Sequence, residues 1–85
     1  MGHGMAVATW FVVQPFEWSK KGRVIQCDAQ EWQSAEAACR EALRLAARGG
    51  GAVAVARTGD PETGEFTESV VLGIYGSLPD EVLQT

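Results

Sequence analysis

The sequence predicts an α+β domain of order ββαββ, an antiparallel four-stranded sheet with one helix packed on one face. Three observations carry that prediction. Residues 57–66, Arg57-Thr58-Gly59-Asp60-Pro61-Glu62-Thr63-Gly64-Glu65-Phe66, have hairpin chemistry and lie between two strand-like runs. Residues 35–47 repeat small apolar side chains at helical spacing. Before that helix, two β-rich runs are parted by Ser19-Lys20-Lys21-Gly22.

Residues 5–17 read as the first strand, because Val, Phe, Trp and Thr suit a pleated sheet. Alternation places Val7, Thr9, Phe11 and Val13 on one face and Ala8, Trp10, Val12 and Gln14 on the other. Both faces are largely apolar, whereas a strand wet on one side alternates more cleanly. Pro15 has no N–H for a ladder, so this end belongs at an edge or a bulge. Gly22 permits the first turn, and residues 23–28 form the returning strand. Residues 29–33 read either as more of that strand or as a lead into the helix.

Ser34 is placed to cap the helix. Behind it Ala35, Ala38, Cys39, Ala42, Leu43, Ala46 and Ala47 form an apolar stripe, flanked by Leu43 and Leu45. Its alanines permit a close approach to the sheet. Glu36 and Arg40 stand four apart with the acid first, the favoured order, and Arg44 and Arg48 suit the C-terminal end of the helix dipole. Gly49-Gly50-Gly51 ends the helix. Residues 52–57 form the third strand, with Val53 and Val55 on one face and Ala52, Ala54 and Ala56 on the other. In the hairpin, Asp60 accepts backbone hydrogen bonds, Pro61 presets φ and Gly64 takes a positive φ. Residues 66–75 form the fourth strand, with Phe66, Val70, Leu72 and Ile74 on one side and Thr67, Ser69, Val71, Gly73 and Tyr75 on the other. The tail, residues 76–85, reads equally as a last helical turn capped by Ser77 or as a loose end.

The 85 residues suffice for one domain. Residues 1–4 read as a flexible appendage, with Met5 an alternative start. A domain this small has a thin stability margin, so a partner surface would help it. A hydrophobic content of 46% is too high for a disordered chain. The net charge of -4 argues against a general nucleic-acid or anionic-membrane binder. Residues 6–13 are too short an apolar run to cross a bilayer, and no basic segment precedes them as a secretion signal would require. Cys27 and Cys39 lack a C-x-x-C spacing and read as reduced thiols of a cytoplasmic protein.

Little in the chain points to catalysis. His3 is the one histidine and stands alone near the terminus. No metal-ligand spacing is present, and no metal or cofactor is expected. Glycines 49–51 follow a helix, the wrong order for a phosphate loop. Asp60, Glu62, Glu65 and Glu68 cluster along the second hairpin, either as a contact for a cation or basic partner or as a solvated loop. Lys20, Lys21 and Arg23, with Phe16 and Trp18 ahead of them, are the one basic knot, too weak against the net acidity to favour single-stranded nucleic acid.

The aromatic surplus says more. One helix covers one face of the sheet, leaving Trp10 and Val12 on the other, and bare apolar faces are uncommon on monomers. Trp10, Val12, Phe16, Trp18 and Tyr75 are therefore the candidate interface residues of a homodimer, packed sheet on sheet or edge on edge. The alternative is that the tail and loop cover this face.

Phe11-Val12-Val13-Gln14-Pro15-Phe16, the alanine-rich helix, the run from Gly51-Ala52-Val53 through the hairpin to Phe66, and Val70-Val71-Leu72 together resemble a group of small uncharacterised bacterial proteins. Asp60 to Gly64 also looks like the turn of the designed mini-hairpin chignolin. Neither resemblance implies an activity or a functional residue. The expected role is a non-enzymatic, self-associating protein-interaction module in the cytoplasm. The alternative is a small-ligand protein or minor enzyme, with a pocket at the sheet–helix or dimer seam lined by Trp10, Trp32 and Tyr75.

Overall fold

Strand β1 (Ala8–Trp18) runs through the interior of the sheet, and the other elements are laid out against it. The computed structural model describes residues 7–79. On one flank β1 pairs antiparallel with β4 (Gly51–Gly59), from Ala8 opposite Gly59 to Phe16 opposite Gly51. On the other it pairs with two short strands, β2 (Val24–Gln26) and β3 (Gln30–Trp32). Strand β5 (Phe66–Gly76) pairs antiparallel with β4 and forms the far edge. Helix α1 (Ala35–Ala47) joins β3 to β4 and packs across one face. The architecture is thus the α+β class read from the sequence, with five strands instead of four.

The additional strand arises at Pro15. Residues 27–29 stand opposite only Gln14 and Pro15, so the returning strand carries one extra residue and breaks into β2 and β3. Proline has no N–H to offer there. The Gln14 side-chain amide supplies a donor instead, reaching the Cys27 carbonyl at 2.6 Å, while the Cys27 N–H donates to the Pro15 carbonyl at 3.0 Å. Residues 30–32, left open between strand and helix, extend the strand.

Ser34 caps α1 as expected, its hydroxyl accepting from the Ala37 N–H at 3.0 Å. Gly49 closes the other end at φ 101°, its N–H donating to the Ala46 carbonyl. The core is small-on-small: Val13, Ala38, Ala42, Ala52 and Ala54 are fully buried, with Phe11, Trp32, Cys39, Leu45, Leu72 and Tyr75 packed around them. This close approach corrects the helical stripe. With Ala38 and Ala42 at the centre of contact, Leu43 lies roughly 100° further round the helix. It is 58% exposed, and Ala47 is exposed too. The buried positions include Glu41 instead. The Arg44 guanidinium holds its carboxylate through two 2.7 Å bonds.

The second hairpin turns as its residues dictate. The Asp60 N–H donates to the Glu65 carbonyl, the Gly64 N–H to the Asp60 carbonyl, and Asp60 Oδ1 accepts from the Glu62 N–H. Gly64 has φ 78°. Beyond the turn β5 does not alternate regularly. Its register against β4 shifts between Thr58 and Gly59 and again between Ala54 and Val55, leaving Thr67 and Leu72 as extra residues. Each shift reverses which face later residues occupy. Phe66, Ser69, Val71 and Ile74 therefore share the face away from the helix, whereas Val70, Gly73 and Tyr75 lie on the helix side. The simple alternation read from the sequence is corrected accordingly.

Candidate functional site

The face of the sheet opposite α1 is built from alternate residues of β1 and β4 and from the bulged β5. Even-numbered positions of β1 face away from the helix, because odd-numbered Phe11 and Val13 pack in the core. Register then places Val53, Val55 and Arg57 of β4 beside them, followed by Phe66, Val71 and Ile74 of β5. Phe66 is 52% exposed, Val71 57% and Ile74 49%, and Trp10, Val12 and Val55 are half-buried. These neighbours make a contiguous apolar surface of a kind that seldom faces water without a partner.

One end of this face is already occupied. A Cβ on Gly51 would lie 2.1 Å from the Ser77 carbonyl oxygen and 2.7 Å from Leu78 Cδ2, so the chain leaving β5 crosses directly over that glycine. The Trp18 indole N–H donates to the Ser77 carbonyl at 3.1 Å. Phe16, opposite Gly51, is only 7% exposed, and Val53 is also buried. Residues 77–79 thus cover the Phe16–Val53 end, with no helical turn over those residues. The rest of the tail, like His3 and residues 1–4, lies outside the described residues.

At the uncovered end the aromatic side chains are ordered by one another. Trp10 and Phe66 meet edge to face, with ring centroids 5.6 Å apart. The Arg57 guanidinium lies 5.5 Å from the Phe66 centroid, a cation–π distance. They border a shallow cleft of about 310 Å³ that Val12 and Glu31 also line. Among the described residues, the ion pairs are Glu36–Arg40 and Glu41–Arg44, both on α1. Among the described residues, Arg57 and Glu31 have no ion-pair partner.

The interface residues read from sequence therefore divide. Trp10 and Val12 are on the open surface. Trp18 borders it but is engaged with Ser77, and Phe16 is buried at the covered end. Tyr75 is on the opposite face against the core, which removes it from this surface. Its hydroxyl is pushed up in pKa, first by its hydrogen bond to the Cys39 thiol and then by burial. Trp32 shares the helix side, so Trp10, Trp32 and Tyr75 do not line one pocket. Alternation alone missed Phe66, Val71 and Ile74 as a set, because the bulges that align them leave no simple spacing in the sequence.

The remaining candidates stand apart. Asp60, Glu62, Glu65 and Glu68 lie along the hairpin, all exposed but half-buried Asp60, with one Asp60 oxygen committed to the turn. Among the described residues, no three His, Cys, Asp or Glu side chains gather as metal ligands would. Lys20, Lys21 and Arg23 are exposed on the first hairpin tip, away from buried Phe16. Both cysteines are free. The Cys27 thiol is pushed up in pKa, first by desolvation and then by Glu17 and Asp28, the reverse of thiolate activation.

Fold and surface together define a small α+β protein with one helix-covered sheet face and one aromatic-edged face that the described residues leave largely open. Among the described residues, no helix is long and apolar enough to cross a membrane. Comparison with protein-family models, with curated proteins and with solved structures finds no match.

Proposed function

We propose that this protein is a non-enzymatic interaction module of the cytoplasm that associates with a second copy of itself through the open sheet face. The observation that carries this reading is the exposed set Phe66, Val71 and Ile74 beside Trp10 and Val12, on a face of which residues 77–79 cover the Phe16 end. Burying such a set stabilises by roughly 1.5–3 kcal/mol per large side chain fully removed from water. A small domain with an alanine-centred core gains correspondingly from a partner. The resemblance to small bacterial proteins belongs to the same proposal and adds no activity to it.

Light scattering over a wide concentration range tests the reading. The expected result is a dimer that dissociates on dilution, with Trp10→Glu folded and monomeric. A wild-type monomer at every concentration sinks the proposal, as does a Trp10→Glu protein that assembles like wild type.

A further inference from the structure

We infer that the dimer is held in one register by reciprocal Glu31–Arg57 ion pairs across the open faces, with the two-fold axis passing over β1 between Trp10 and Val12. This rests on the self-association proposed above and specifies its geometry. Glu31 is opposite Val12 on one side of β1, and Arg57 is opposite Trp10 on the other. Both belong to the open face, both are exposed, and neither has an ion-pair partner among the described residues.

Two strand spacings across and two residues along place their Cα atoms about 12 Å apart, and no ion pair joins them within one chain. A two-fold axis in the plane of the interface, perpendicular to the line joining them, exchanges their positions. Arg57 of each copy then meets Glu31 of the other, as an isologous contact requires. Trp10 and Val12 lie closest to the axis and pack against their own counterparts, while the Phe66 ring keeps the guanidinium in place.

Charge distribution favours a second copy over a partner of strong single sign. The chain carries -4 overall, yet Glu31 and Arg57 balance one another on this face. Asp60, Glu62 and Glu65 are at the hairpin turn, and Glu68 is on the helix side of β5. The open face is therefore where two acidic molecules meet with least repulsion and with matched attraction.

Charge reversal tests this through four proteins: wild type, Glu31→Arg, Arg57→Glu, and the double variant. Each is first checked for folding by circular dichroism. Each single reversal places two like-charged pairs at the interface, and the dimer dissociation constant is expected to rise about tenfold or more. The double variant restores opposite charges and dimerises like wild type. An equimolar mixture of the two single variants forms a heterodimer, because both cross-pairs are then attractive. The penalty of each single variant shrinks with added salt. A dimeric wild type whose affinity is indifferent to the reversals, or a mixture that gives no heterodimer, overturns this inference and leaves self-association standing. A wild type that is monomeric throughout overturns both.

Discussion

At the scale of single residues, Gln14 and Glu41 are polar groups placed among packed surfaces, and each has one counterpart that makes its position tolerable. Gln14 answers for a donor that Pro15 cannot provide. Replacing it with Leu leaves the Cys27 carbonyl without that bond. The expected loss is about 1–2 kcal/mol in urea unfolding, and Gln14→Glu fares no better because a carboxylate has no proton to donate there. A neutral Gln14→Leu would show that the interruption between β2 and β3 holds without the amide. Glu41 is governed by Arg44, whose hydrogen bonds hold the carboxyl below its ordinary pKa of 4.5 against the opposing effect of burial. The unfolded chain then takes up the proton more readily than the folded one. The pair's contribution is complete above the ordinary carboxylate pKa and is lost as pH falls through the lower folded value. Glu41→Gln is therefore expected to be less stable than wild type at neutral pH, with the difference narrowing below about pH 4.5 in acid-unfolding curves. The sequence shows a Glu three residues before an Arg. It does not show that this Glu, instead of Leu43, turns inward, because that rotation follows from alanines of two elements meeting closely.

Among the elements, those whose boundaries are fixed by local chemistry were legible, and those shaped by cross-strand register were not. The Ser34 cap, the Gly49 stop and the Asp60–Gly64 turn depend on a few adjacent residues, and each appears where those residues place it. The faces of β5 depend on β4, and two register shifts rearrange them. Pro15 signalled an interruption by lacking a donor, but the form of that interruption depended on Gln14. The crossing of residues 77–79 over Gly51 is likewise a tertiary fact, since only the absence of a side chain there lets the backbone approach. Gly51→Ala is expected to lift this segment and cost about 1–3 kcal/mol by overpacking. The Trp18 indole N–H resonance should move as its bond to Ser77 is lost. Gly64→Ala is the matched control. At φ 78° it strains the turn, at a cost of about 1–2 kcal/mol, but its added methyl meets open space and the Trp18 resonance should stay in place. A Trp18 signal unmoved by Gly51→Ala would mean that the crossing is not held in solution.

For the whole molecule, the question is which apolar exposure is functional and which is incidental, and the fold supplies a paired test. Leu43 is 58% exposed on the outer side of α1, and Val71 is 57% exposed on the sheet face away from it. Their exposures match, so simple hydrophobicity ranks them alike. Their surroundings differ. Val71 belongs to a surface shared with Ile74, Val55 and Phe66, whereas Leu43 is flanked by Arg40, Arg44 and Ala47 on a solvated helix. Isolated exposed apolar residues are ordinary on soluble proteins, and contiguous ones mark contact surfaces. With the proposed dimer formed through the sheet face, Val71→Lys should therefore shift the mass by light scattering to that of a monomer, while Leu43→Lys should leave the mass of the wild type unchanged. Both substitutions place a lysine in open solvent, so each is expected to change monomer stability by about 0.5 kcal/mol or less. If Leu43→Lys alone dissociated the protein, association would have to run through the outer surface of the helix. Residues with almost the same exposure would then have exchanged roles, and contiguity on the sheet would no longer distinguish the functional surface from the incidental one.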